Sequence, residues 1–281
     1  MSRLVSTARG IGVLESGPAG PMVAYLDLDH PDLGAALGAG LPVEEIAAAP
    51  RRDRTSLAAA QLLATIPRPS KIWAVGFAYA DHRREVGYGE QADAPVIFMK
   101  APSSVLATDG EIRFPRVAPN KVDYEGELGV VIGRRVSGVE EGAARSAIAG
   151  YTICNDVSAR DVQKGWIPGR KPDVSTAKSF DTFTPMGPCL ATLDEFADPD
   201  DLHLRTWVDE ELRQDARTSQ LIHPVSFLVS YLSRHTTLEP GDVICTGTPA
   251  GVGHPQGKFL RPGSTVRIEI AGIGELSNVC R

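Results

Sequence analysis

The sequence predicts a β-rich α+β fold, a mixed sheet with appended helices behind a small N-terminal domain, and three observations carry that expectation. Beyond Pro69 the chain breaks into short β-branched and aromatic runs bounded by Gly and Pro, which is the pattern of strands. Only three stretches of that half read as helical, so the regular alternation that builds a parallel α/β sheet is missing. Ahead of Pro67-Arg68-Pro69 the chain is richer in Ala and Leu, which sets residues 1–66 apart from residues 70–281.

Taken in order, residues 11–28 hold two apolar runs, IGVLE and PMVAYLDL, on either side of Ser16-Gly17-Pro18-Ala19-Gly20, a turn-forming cluster, and so predict a hairpin. Asp32 to Ile66 reads as short helices. Eight strands are expected next: KIWAVGF, PVIFMKA, EIRFP, YEGELGVVIG, AGYTIC, LHLRTWV, GDVICTG and TVRIEIAG. Val139 to Ile148, Ser158 to Gly165 and Pro224 to Arg234 are the helical stretches.

Length and charge narrow the function classes. A chain of 281 residues can bury a substantial core. Its 29 Lys and Arg against 35 Asp and Glu give a formal charge of -6, which leaves no basic excess for nucleic acid. No apolar run reaches the roughly 18 residues of a membrane helix, and Arg3 and Arg9 flank too few apolar residues for a signal-peptide core. A soluble, cytoplasmic protein is expected. Cys154, Cys189, Cys245 and Cys280 lie far apart without a CxxC, as reduced core thiols do.

Three stretches could carry chemistry. In Asp123-Tyr124-Glu125-Gly126-Glu127-Leu128, side chains two apart on a strand share a face, so Glu125 and Glu127 project together about 7 Å apart. The run continues into Val130-Val131-Ile132, typical of a strand covered on both faces, where two carboxylates need compensation. A hard divalent cation, Mg²⁺ or Mn²⁺, supplies it; a solvent-facing pair on an edge strand fits the spacing equally well. Asp156 ends the strand AGYTIC and is a third possible ligand, with Arg160 and Gln163 on one face of the helix that follows, although helix capping by Asp156 or Ser158 accounts for the same residues. His82 and Glu85, three apart after KIWAVGF, make a general-base dyad or a surface histidine among charges.

Gly247-Thr248-Pro249-Ala250-Gly251-Val252-Gly253 follows the strand DVICT and has no GxxxxGK[ST], which removes a nucleotide-binding reading and leaves Thr248 as a hydroxyl donor lining a pocket. Serine-hydrolase, zinc-protease and dinucleotide-binding fingerprints are absent from the chain.

These pieces in this order resemble the fumarylacetoacetate hydrolase family, whose shorter bacterial members show G-x-N-Y-x-x-H-x-x-E, D-Y-E-x-E-L, N-D-x-S-x-R-x-x-Q, K-S-x-D-x-x-x-P-x-G-P and a late G-T-P-x-G-V-G. Four segments are intact: Asp123 to Leu128, Asn155 to Gln163, Lys178 to Pro188, and Gly247 to Gly253. The first has Ala78 where the family usually has Asn, which removes an amide. The resemblance implies a mixed β-roll built as a homodimer, with Glu125, Glu127 and Asp156 holding Mg²⁺ or Mn²⁺, a site that Ca²⁺ could also fill in a crystal. It implies Lys178 as a catalytic lysine, His82 with Glu85 as the water-activating dyad, and Arg160, Gln163, Tyr79 and Thr248 as substrate contacts. The activity it implies is metal-dependent hydrolysis of a C–C bond in a β-diketo acid such as an acylpyruvate or fumarylpyruvate, through an enolate. Oxaloacetate decarboxylation, or keto–enol and double-bond isomerisation of a dienoic diacid, would use the same site, and a non-catalytic metal-binding dimer is the reading from another class.

Overall fold

A computed structural model describes residues 2–18, 20–89 and 94–281. One long mixed sheet runs in the order Arg51–Ser56, Gly20–Leu26, Gly10–Gly17, Arg3–Thr7, Thr184–Ala191, Ile148–Asn155, Gly126–Ile132, Val243–Cys245, Ile72–Gly76 and Val96–Lys100. A second sheet of five strands orders Glu211–Arg217, His203–Val208, Thr265–Ile270, Gly274–Cys280 and Glu111–Ile112. The architecture is the mixed β-rich α+β fold expected.

Between the sheets, Leu128, Val130 and Ile132 pack with Leu204, Ile268 and Ile270. On the opposite face of the same strand Val131 joins Leu4, Leu26, Leu33, Leu37 and Ile46. Alternation thus sends successive side chains of one strand into two cores, which is why its sequence is continuously apolar. Gly126 is required where the sheets come closest, since a Cβ there would lie 2.2 Å from Thr206 Oγ1.

The expected hairpin forms, Gly12 pairing with Tyr25 and Gly17 with Gly20, with Ala19 outside the described residues. The stretch 32–66 is only partly helical. Leu33–Gly38, capped by Asp32 Oδ1 accepting from the Ala35 N–H at 2.9 Å, and Val43–Ala48 are helices, but Arg51–Ser56 is a strand against Gly20–Leu26. Pro50 stops the helix, and the charged run Arg51-Arg52-Asp53-Arg54 suits a solvent-facing sheet edge. Arg3–Thr7 then pairs with Thr184–Ala191, so the N-terminal strands continue the sheet of the later chain.

Thr184–Ala191 was not among the expected strands because Pro185 and Pro188 read as breakers, yet it lies inside the sheet, flanked by Arg3–Thr7 and Ile148–Asn155. The expected helices appear at Glu141–Ala144, Arg160–Gln163 and Val225–His235. All four cysteines are free and buried. Among the described residues no helix is long and apolar enough to cross a membrane.

Candidate active site

The start of Gly126–Ile132 and the end of the adjacent Ile148–Asn155 bring three acids together. Ligand oxygens of Glu125, Glu127 and Asp156 all lie within 4.8 Å of one another. Backbone bonds hold the cluster: the Asp156 N–H donates to the Glu125 carbonyl at 2.8 Å, and the Glu125 N–H donates to Asn155 Oδ1 at 3.0 Å. The two glutamates are 6% and 1% exposed on an interior strand, so the edge-strand alternative fails. Asp156 caps no helix either: Ala159 precedes Arg160–Gln163 without a side-chain cap.

Burying these acids demands cations, and the chain supplies three. Lys178 Nζ donates to Glu125 Oε2 at 2.7 Å and to Asp156 Oδ2 at 2.6 Å. Lys100 Nζ, equally buried, donates to Asp156 Oδ1 at 2.6 Å. Arg160 reaches Glu125 Oε1 at 2.6 Å, Asp123 Oδ2 at 2.8 Å and Gln163 Oε1 at 2.9 Å. Asp123, Glu125, Glu127 and Asp156 are four carboxylates against Lys100, Lys178 and Arg160, which leaves one negative charge in excess.

The excess resides on Glu127. Its Oε2 accepts from the Gly247 N–H at 2.8 Å, while Oε1 is buried without a partner. Burial, followed by repulsion from Asp156 and Glu125, pushes its carboxyl well above the ordinary range. Glu125 goes the other way: burial opposes its charge, but Lys178 and Arg160 outweigh burial and hold it at about 2. An unpartnered buried oxygen among three convergent carboxylates fits a hard divalent cation, which prefers oxygen donors and would supply the missing charge.

A cavity of about 90 Å³ opens onto this floor, with His82, Glu125, Arg160, Gln163, Lys178 and Thr248 on its wall. That is room for a small molecule rather than a single water. His82 is 6% exposed, so it is not a surface histidine. Its Nδ1 lies 3.2 Å from Glu85 Oε2, and Glu85 Oε1 accepts from the Gly251 N–H at 3.1 Å. A carboxylate on Nδ1 favours the tautomer whose Nε2 is free to accept a proton. Phe77, at φ 56 in the left-handed region, closes the strand Ile72–Gly76, stacks 6.1 Å from the His82 ring and lines the cavity.

The Gly247 turn closes the other side. At φ +97, with a Cβ position 2.4 Å from Ala78 Cβ, only glycine brings this N–H to Glu127. Thr248 Oγ1 donates to the Gly126 carbonyl at 2.9 Å and accepts from Gln214 Nε2 at 2.7 Å. Tyr79 is not on the cavity wall: its side chain is fully buried, and its hydroxyl has no hydrogen-bond partner. Sequence reasoning missed Lys100, Asp123, Lys164 and His254. Lys100 carried a signal, a lysine closing the apolar run Val96-Ile97-Phe98-Met99. Asp123 anchors Arg160 and accepts from the Gly253 N–H at 2.8 Å and the His254 N–H at 3.0 Å, a role that depends on a turn remote in sequence.

The fold and this charged cavity define an enzyme of the fumarylacetoacetate hydrolase family. Residues 71–281 match the model described as Fumarylacetoacetate (FAA) hydrolase C-terminal, and the chain belongs to that family. It is 41% identical over 229 residues to an oxaloacetate tautomerase of Bacillus subtilis, covering 79% of this chain and 74% of the relative. Among solved structures it is similar to a fumarylacetoacetate hydrolase of Exiguobacterium antarcticum, with a TM-score of 0.84 and 32% identity over 100% of this chain and 99% of that one. It is also similar to a 2-hydroxyhepta-2,4-diene-1,7-dioate isomerase of Mycobacterium marinum, at TM-score 0.79 and 36% identity over 100% and 98% of the two chains.

Proposed function

We propose that this enzyme moves a proton at the carbon next to the keto group of a 2-keto acid, interconverting keto and enol forms of an oxaloacetate-type substrate. The observation that carries the reading is that His82, paired with Glu85, lines one cavity with Glu125, whose carboxylate clusters with those of Glu127 and Asp156. The names of the Bacillus subtilis and Mycobacterium marinum relatives, a tautomerase and an isomerase, describe reactions of this type and support it.

Glu125, Glu127 and Asp156 would hold Mg²⁺ or Mn²⁺, which when bound supplies Lewis-acid polarisation of a substrate oxygen. The chain does the rest. His82 Nε2 takes the proton from carbon, Glu85 stabilises the resulting imidazolium through Nδ1, and the same nitrogen returns the proton to another atom of the substrate. The Lys178 ammonium adds positive charge beside the oxygen that gains electron density. Phe77, Phe98 and the valines of the wall keep bulk water from quenching that charge.

A second reading, hydrolytic C–C cleavage of an acylpyruvate, is favoured by the same dyad, because an imidazole oriented by a carboxylate also deprotonates water. Hydroxide would add to the distal ketone, the C–C bond would break with its electron pair retained on the pyruvate carbon, and the imidazolium would return the proton there. Both readings require His82. With saturating Mg²⁺, His82→Ala should slow oxaloacetate enol–keto exchange, followed by ultraviolet absorbance, by about 10² to 10⁴ while calorimetric Mg²⁺ binding persists. An unchanged rate removes the base assignment. Cleavage of acetylpyruvate by the unmodified enzyme separates the second reading from the first.

A further inference from the structure

The cations of this site differ in what they already hold. Lys178 and Lys100 are taken up by Glu125 and Asp156, and Arg160 by Asp123, Glu125 and Gln163. Lys164 is different. It follows the helix Arg160–Gln163, its backbone N–H donating to the Arg160 carbonyl at 2.9 Å, so it stands on the Arg160 side of that turn and lines the same cavity. Among the described residues no carboxylate forms an ion pair or hydrogen bond with its ammonium. It is half-buried and feels the like charge of Arg160, and burial first and Arg160 second draw its pKa down. Glu125 attracts the ammonium more weakly, without an ion pair or hydrogen bond to it, so a bonded anion would complete this position.

Beside it stands His254, on the same cavity wall, with its ring 5.4 Å from that of Trp166. Burial, then the charges of Arg160 and Lys164, lower its pKa, which leaves a neutral imidazole able to donate one hydrogen bond. Its backbone is pinned by Asp123, so the ring is presented from a fixed turn. The described wall also carries the apolar side chains of Val86, Val96, Phe98 and Val174, which suit a short carbon chain.

We propose that Lys164 and His254 form a subsite for a second carboxylate, which makes the preferred substrate a dicarboxylic 2-keto acid. The inference rests on the keto-acid reading for what occupies the acidic floor. The keto end is held there, and the distal carboxylate exchanges water for the Lys164 ammonium and the His254 N–H. A substrate ending in a methyl or alkyl group would leave Lys164 unpaired. Lys164 acts as a specificity residue and takes no part in the proton transfer.

Two unreactive four-carbon acids provide the test: malate, and 2-hydroxybutyrate, which has a methyl where malate has its distal carboxylate. Calorimetry on the protein with saturating Mg²⁺ should show malate binding at least about tenfold tighter. Lys164→Met, which keeps the apolar stem, should bring malate down to the level of 2-hydroxybutyrate while leaving 2-hydroxybutyrate affinity within about twofold, and Lys164→Arg should restore the preference. The unchanged monoacid affinity shows that the variant is folded. Absence of a malate preference in the unmodified protein, its persistence in Lys164→Met, or binding of neither acid overturns the subsite. If proton transfer is the wrong reaction, the unmodified protein is inactive on oxaloacetate yet still prefers malate, and the subsite stands.

Discussion

Two charge networks in this protein are built from the same ion types and behave as opposites. On the five-stranded sheet, Arg205 meets Glu269 at 2.9 Å and Arg267 meets Glu275 at 3.2 Å, with the Arg267 guanidinium 3.8 Å above the Trp207 ring. Those side chains are 35–48% exposed, so water already solvates each partner. At the cavity floor, Lys100, Lys178, Glu125 and Asp156 are 0–8% exposed at 2.6–2.7 Å, and every charge depends on another. The surface network is balanced and locally dispensable. The floor is one positive charge short, and that shortfall is what a bound cation would make good.

Lys178→Met should break this contrast most. It strips Glu125 and Asp156 of a shared ammonium and should lower metal-free stability by about 3–5 kcal/mol in urea unfolding, the range for removing one member of a buried pair. Added Mg²⁺ should recover part of the loss, because it binds the folded state where charge is missing. A change as small as that of a surface pair would mean the floor relaxes into water and the contrast is false.

Glu127→Gln should give a smaller effect of opposite sign. The folded carboxyl sits well above 4.5, so the unfolded chain releases its proton first. Metal-free stability should therefore fall as pH rises from about 4.5 through the raised value, and the Gln variant should lose that decline. Glu125, held at about 2 against an ordinary 4.5, contributes stability that is complete above 4.5 and disappears as pH falls toward 2. The Gln variant should also bind Mg²⁺ more weakly by calorimetry, since it gives up the charge that the ion neutralises. Parallel pH curves for variant and parent would show that Glu127 carries no excess charge.

Arg267→Ala marks the small end. It should cost about 1 kcal/mol or less, from an exposed pair and one cation–π contact, and 0.5 M NaCl should shrink the ion-pair part. The same salt should hardly alter the effect of Lys178→Met, because buried pairs are screened far less.

Much of the floor was legible because its residues lie in compact segments. Glu125 and Glu127 are two apart, Asp156 ends an apolar strand, and His82 and Glu85 share a helical turn, so periodicity alone puts each pair on one side. The family resemblance then drew the segments together. Lys100 and Asp123 escaped because their partners are remote in sequence, and Lys164 because no carboxylate among the described residues pairs with it. Thr184–Ala191 escaped because proline content argues against a strand until its neighbours are known.

The sequence by itself determined the β-rich class, the hairpin near the N-terminus, the free cysteines and the placing of Glu125 and Glu127 on one side of a strand, because alternation, turn residues and short-range spacing are local properties of the chain. It left open whether Glu125 and Glu127 face water or the interior, and whether His82 is exposed or buried beside Glu85. Tertiary structure alone decided those questions. Placing the strand Gly126–Ile132 between two others buries its acids, three cations from distant segments compensate all but one charge, and the Gly247 and Gly251 turns deliver the N–H groups that hold Glu127 and Glu85. Charge balance in a buried site is a sum over neighbours in space, and no stretch of sequence contains that sum.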